Sequence, residues 1–174
     1  MLIRDRSIME KAMSITYEDI RAKRRELVAK YEERKSKLHA WGYELVKQFR
    51  DSLDLPSESW VDGKGSARSY LTVGYINNNN LFQYSPLAAR QLDENYALSF
   101  WLDFVIDDNP LEEQSIWIKV SMNYNSGTLE VDLDNGKKII KVASPSEPDS
   151  FAEVSANIKQ IVINLLSESR LQHN

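Results

Sequence analysis

The chain has 174 residues, 42% of them hydrophobic and 28% charged, which is the composition of a soluble globular protein large enough to bury one core. It has no cysteine, and this excludes disulfides, thiol nucleophiles and thiolate zinc sites. The formal net charge of −4 is unevenly spread: 13 Lys/Arg against 8 Asp/Glu leave +5 in residues 1–50, and 9 against 18 leave −9 in residues 51–174. A basic arm on an acidic body suits either nucleic acid or attraction between the two halves, within or between chains.

The start, Met1-Leu2-Ile3-Arg4-Asp5-Arg6, carries charge without an apolar run behind it, so no secretory signal is expected. No run approaches the roughly 18 apolar residues of a spanning helix. The expectation is a cytoplasmic protein without membrane contact. Residues 1–16 read as a poorly ordered lead-in, with Met13-Ser14 as an alternative start, and residues 17–174 as a single α+β domain.

Residues 17–53 read as one long helix. Thr16 followed by Asp19 is a start signal, Gly42 is the only glycine, and Pro56 ends the segment. Its apolar stripe is Ile20, Leu27, Tyr31, Leu38, Trp41, Leu45, Phe49 and Leu53, thin up to residue 37 and dense from 38 to 53. The dense end is predicted to pack on the domain's own core. The thin end, RAKRRELVAKYEERKSK, is charged nearly all round, and such a helix needs a partner: the same helix of a second copy, another protein, or phosphate backbone. Pairs such as Glu26 with Lys30 add only about 0.2–0.5 kcal/mol each.

Residues 54–68 are rich in turn formers and read as a loop. A meandering antiparallel sheet of five or six strands is predicted over residues 69–142. Ser69–Ile76 is its first strand, Asn77–Asn80 a turn, and Leu81–Tyr84 a short return. Residues 86–95 suit one or two helical turns. The centre of the sheet is Tyr96–Tyr124. Leu98, Phe100, Leu102, Phe104 and Ile106 alternate along one strand, and Ile116, Ile118, Val120, Met122 and Tyr124 along the next, so each strand has one apolar face. Leu129, Val131 and Leu133 continue it, then Ile140 and Val142 across an Asn135-Gly136 turn. That turn pairs Lys138 with Leu133, Ile140 with Val131 and Val142 with Leu129, keeping all three apolar residues of the earlier strand inside. After the linker 143–150, a helix over 150–171 carries Phe151, Val154, Ile158, Ile161, Val162, Leu165 and Leu166 and is predicted to lie across the apolar face.

Several features are candidates for chemistry. Gly63-Lys64-Gly65-Ser66-Ala67-Arg68 can bind an anion through its N–H groups or be a plain surface turn; its spacing is not that of a phosphate loop. His39 and His173 have no partner at a recognisable spacing, so no serine triad or histidine metal site is expected. Asp103, Glu112, Glu113, Glu130 and Asp132 fall on or beside the outward sheet face, where carboxylates can hold a cation or move protons, although Glu130 with Lys141 reads as an ordinary cross-strand pair. Trp101 and Trp117 stand on that same face among Ser, Asp, Lys and Asn. Exposed aromatics of that size need cover, from the long helix folded back, a second subunit or a separate partner.

The leading functional expectation is a non-enzymatic interaction protein of chaperone, immunity or adaptor type. It would bind another protein, or a second copy as a homodimer, through Trp101, Trp117, Asp103, Lys119, Leu27 and Tyr31. No catalytic residue, metal ligand or cofactor is assigned. The alternative is nucleic-acid binding through Arg21, Lys23, Arg24, Arg25, Lys30, Arg34, Lys35 and Lys37, which the acidic body opposes. A third is an enzyme using the carboxylates or the Gly63–Arg68 loop.

Overall fold

The structure, a computed structural model, describes residues 2–167. Its residues fall into two compact units that divide between Ser36 and Lys37.

The first unit holds helix α1 (Leu2–Met13) and the opening of helix α2 (Tyr17–Ser52). The helix α1 forms where the sequence pattern offered no element. α2 starts as its sequence indicates. The Thr16 N–H and hydroxyl both donate to the Asp19 carboxylate, at 2.8 and 2.9 Å, and the Asp19 N–H returns a bond to Thr16 Oγ1 at 3.2 Å. These bonds hold the Asp19 carboxyl below its usual range, the Thr16 backbone N–H being the main cause.

The second unit contains the rest of α2, eight strands and a C-terminal helix. The strands are β1 (Ser59–Val61), β2 (Ala67–Ser69), β3 (Leu71–Ile76), β4 (Phe82–Tyr84), β5 (Leu98–Asp107), β6 (Gln114–Asn125), β7 (Thr128–Leu133) and β8 (Lys138–Val142). Six of them form an antiparallel sheet in the order β4-β3-β5-β6-β7-β8. β1 and β2 make a separate two-stranded hairpin. The fold is α+β, as the patterning indicates.

Register follows the hydrophobic alternation. Leu98 faces Met122, Phe100 faces Val120 and Leu102 faces Ile118. Leu133, Val131 and Leu129 pair with Lys138, Ile140 and Val142 as the Asn135-Gly136 turn requires. At Ser126-Gly127 both residues take positive φ, and Asn125 pairs with Thr128 across a two-residue turn.

One face of this sheet is the core. Leu98, Phe100, Leu102, Ile118, Val120, Met122, Leu129, Val131 and Leu133 are fully buried there. The dense stripe of α2 covers it: Phe49 meets Phe104 edge-on at 5.7 Å, and Trp41 meets Tyr124 at 5.0 Å. Helix α3 (Ala152–Leu166) covers the rest, with Val162 and Leu166 beside Phe104 and Ile106. The Phe151 N–H donates to Gln48 Oε1 at 2.8 Å, tying the start of α3 to α2. Residues 168–171 of the predicted C-terminal helix, and His173, lie outside the described residues.

Candidate functional site: the outward sheet face

The second face of the sheet is built by the other residue parity. Thr72 stands opposite Asp103 and Gly74 opposite Trp101 across β3 and β5, while Trp101 pairs with Lys119 and Asp103 with Trp117 across β5 and β6. Ser99 and Ser121 are bonded through their hydroxyls at 3.0 Å farther along. Trp101, Asp103, Lys119 and Trp117 therefore form one continuous patch. All but Trp117 are half-buried, and Trp117 remains 39% exposed.

Cover for this patch comes from two elements that the sequence pattern did not reveal as cover. The first is β4. Phe82 lies over Gly74, where an added Cβ would meet its ring at 2.6 Å, and its ring centroid stands 6.2 Å from that of Trp117. Gly74 is thus the floor of an aromatic row running from β4 to β6, with Tyr84 exposed beside it. The second is the β1–β2 hairpin, which places Trp60, Arg68 and Ser69 against Thr72, Asp103, Val105 and Ser115. The predicted loop over 54–68 is therefore corrected to a hairpin of two three-residue strands, too short to show alternation. Residues 37–52 of α2 lie on the opposite, apolar face, so that part of the long helix does not cover the tryptophans.

The hairpin encloses a polar cavity of about 220 Å³ lined by Trp60, Arg68, Thr72, Asp103, Glu113 and Ser115 among others. Burial pushes the Asp103 carboxyl above its usual range, and the side chains of Ser115 and Trp117 pull it partly back. Asp103 Oδ1 and Trp60 Nε1 are both buried without a hydrogen-bond partner within the protein. Arg68, the one cation lining the cavity, is held elsewhere: its Nε donates to Asp62 Oδ2 at 2.8 Å. An acceptor and a donor of complementary kind thus border one small chamber, beside half-exposed aromatic rings.

Asp62 also explains the Gly63–Arg68 loop. Its Oδ1 accepts from the Lys64 and Ser66 N–H groups, each at 2.9 Å, and its backbone carbonyl accepts from Gly65. The donors that were candidates for an outside anion are engaged by the loop's own carboxylate. Arg68 first, then the Ser66 N–H, hold Asp62 below the usual carboxylate range.

The remaining candidates are scattered. His39 Nε2 is 2.9 Å from the Arg90 carbonyl oxygen, a tie from helix to loop. Glu130 pairs with Lys141 in register across β7 and β8, as expected, and Asp132 Oδ1 accepts from the Gly136 N–H at 2.6 Å. Among the described residues, no group of three or more His, Asp or Glu side chains is placed to hold a metal ion, and no helix is long and apolar enough to cross a membrane.

Leu27, Tyr31, Arg21, Lys23, Arg24, Arg25, Lys30, Arg34 and Lys35 all sit on α2 in the first unit, and Lys37 opens the second. Leu27 is 62% exposed, whereas Tyr31 and Arg34 are half-buried. Lys23 and Lys30 both reach Glu26, at 3.3 and 2.8 Å, Arg21 reaches Glu18 and Lys35 reaches Glu32.

Trp60 and Phe82 are the site residues that the pattern missed. A signal existed for Trp60: Asp62-Gly63 follows Ser59-Trp60-Val61, and Asp-Gly after a β-prone run is a hairpin cue. For Phe82, no local signal says that it crosses a glycine to reach Trp117. Compared with protein-family models, with curated proteins and with solved structures, the chain matches none.

Proposed function

We propose that this chain is a non-enzymatic interaction protein, of adaptor, immunity or chaperone kind. It engages another protein, or a second copy of itself, through the first half of α2 and the outward sheet face. The reading takes it to be cytoplasmic and its assembly to be small, a homodimer in the simplest case.

The observation that carries the reading is the exposure of large apolar side chains along the first half of α2. Ile20 is 60% and Leu27 62% exposed. Lone exposed apolar residues are ordinary, but a row on one helical face is the mark of a surface that is covered in use. The half-exposed Trp117 beside Phe82 adds an aromatic anchor of the type enriched in binding hot spots.

Nucleic-acid binding is the weaker reading. Residues 51–174 carry a formal −9, and this acidic body opposes approach to a phosphate backbone.

Sedimentation velocity on the full chain, run beside affinity capture with the wild type and with Leu27→Asp, tests the proposal. A self-associated species, or one captured protein, is expected for the wild type and lost in the variant, with the thermal midpoint unchanged. A wild type that stays strictly monomeric at high micromolar concentration and captures nothing overturns it.

A further inference from the structure

The charges along the exposed part of α2 are sorted by face, and the sorting says what kind of surface it fits. Taking Tyr17 as position a of a heptad, the seam positions a and d hold Tyr17, Ile20, Arg24 and Leu27. The flanking e and g positions hold Arg21, Lys23, Val28 and Lys30. Every carboxylate of the stretch, Glu18, Asp19 and Glu26, falls at b or c on the far side. The exposed face is thus an apolar row with a cationic rim, and the acids lie behind it. The Lys23 and Lys30 bonds to Glu26 join rim to back; such surface pairs contribute little and break readily when a better acceptor arrives.

This arrangement opposes the same helix as partner. In a parallel pair Arg24 would meet Arg24 in the seam and Lys30 would face Lys35 across it; in an antiparallel pair the g positions set Lys23 and Lys30 of the two copies against one another. The complement must be acidic. The molecule offers one: residues 37–174 carry 12 Lys/Arg and 19 Asp/Glu, a formal −7, against 10 and 7, or +3, in residues 1–36. The part of that body with both halves of the complement is the loop between β5 and β6. There Leu111 stands 91% exposed, with Glu112 and Glu113 next to it in the chain and Asp107 at the end of β5. The Leu111 N–H donates to Asn109 Oδ1 and the Glu112 N–H to the Asn109 carbonyl, so the loop holds its leucine outward.

We propose that the Tyr17–Lys30 face of α2 docks on the acidic β5–β6 loop of a second copy, around Leu111. The exchange is reciprocal. Each copy gives its helix and receives its partner's, which closes a two-fold dimer with two equivalent contacts and no open end. The proposal rests on the interaction-protein reading and names its partner.

The test uses the full chain and three variants in sedimentation velocity: Lys23→Glu with Arg24→Glu, Glu112→Lys with Glu113→Lys, and Leu27→Asp. The wild type is expected to be a dimer that dissociates as salt rises. Each charge-reversed variant is expected to be monomeric alone, and an equimolar mixture of the two to regain a heterodimer. Circular dichroism melts check that every variant folds. A dimer that survives both charge reversals but is lost with Leu27→Asp overturns this geometry and leaves the broader reading standing. A wild type that is monomeric overturns the proposal. So does one that binds polyuridylate or anionic phosphatidylserine vesicles through Lys23 and Arg24 without dimerising.

Discussion

Replacing Gly74 by alanine is the most direct probe of the outward face. A Cβ on residue 74 would lie 2.0 Å from the Gln83 carbonyl oxygen, 2.6 Å from Phe82 Cζ and 2.9 Å from the Gln83 carbonyl carbon. The phenyl ring can swing aside. The carbonyl cannot, because β4 is held to β3 by the pairs Gly74 with Tyr84, Tyr75 with Gln83 and Ile76 with Phe82. Two responses are open to the chain. It can absorb the overpacking in place, at about 1–3 kcal/mol. Otherwise β4 peels away, forfeiting ladder bonds of about 1 kcal/mol each net and about 1.5 kcal/mol of partial Phe82 burial. The chain takes the cheaper route, so the lost stability is about 1–3 kcal/mol, or about 2–12 °C in the midpoint for a chain of this size. Urea unfolding followed by circular dichroism gives the first number. Tryptophan emission gives the second readout, since Trp117 loses its neighbour and shifts to the red. A Gly74→Ala protein within about 0.5 kcal/mol of wild type, with unchanged emission, would refute the claim that this glycine is the floor of the aromatic row.

Three further outcomes are expected. The Asp103 carboxyl is raised by burial, so its protonated form favours the folded state; this stabilisation is full below the ordinary carboxylate range and is lost as pH rises through the raised folded value. Asp103→Asn should therefore be more stable than wild type at neutral pH, the gap closing in acid, and parallel pH profiles in urea titrations would contradict it. Asp62 has the opposite sign: its lowered carboxyl stabilises the hairpin above the ordinary range and loses that effect as pH falls through the folded value. Arg68→Met should lower the neutral-pH midpoint and speed hydrogen exchange at Lys64 and Ser66; unaltered exchange would count against Asp62 as the organiser of the turn. Gln48→Leu leaves the Phe151 N–H without its acceptor and should cost about 1–3 kcal/mol in chemical denaturation, whereas a neutral result would show that α3 does not depend on this tie.

The sheet was legible because its side chains alternate. Leu98 to Ile106 and Ile116 to Tyr124 could pair in only one parity without exposing an entire apolar face, and Ser126-Gly127 and Asn135-Gly136 set the turns that keep that parity. α2 and its Thr16–Asp19 cap were legible from local chemistry, as was the Phe151–Leu166 face of α3. The hairpin over Asp103 was legible only at its Asp62-Gly63 turn, not in its strands. Three-residue strands have too few side chains to show a period, and Trp60 is buried by tertiary contact alone. Phe82 was hidden for a related reason: what places it against Trp117 is the absence of a side chain at Gly74, on a different strand.

The amino-acid order alone determined the α+β class, the inner face of the sheet, the long helix and the faces on which its charges lie. These follow from spacing along one chain, where periods of two and 3.6 decide which side chains share a side. Tertiary structure decided what lies over the outward tryptophans, that Asp103 is half-buried and raised, and that the Gly63–Arg68 donors are taken by Asp62. Those properties come from residues distant in sequence, whose desolvation and hydrogen bonds exist only once the hairpin, β4 and the central strands have been brought together.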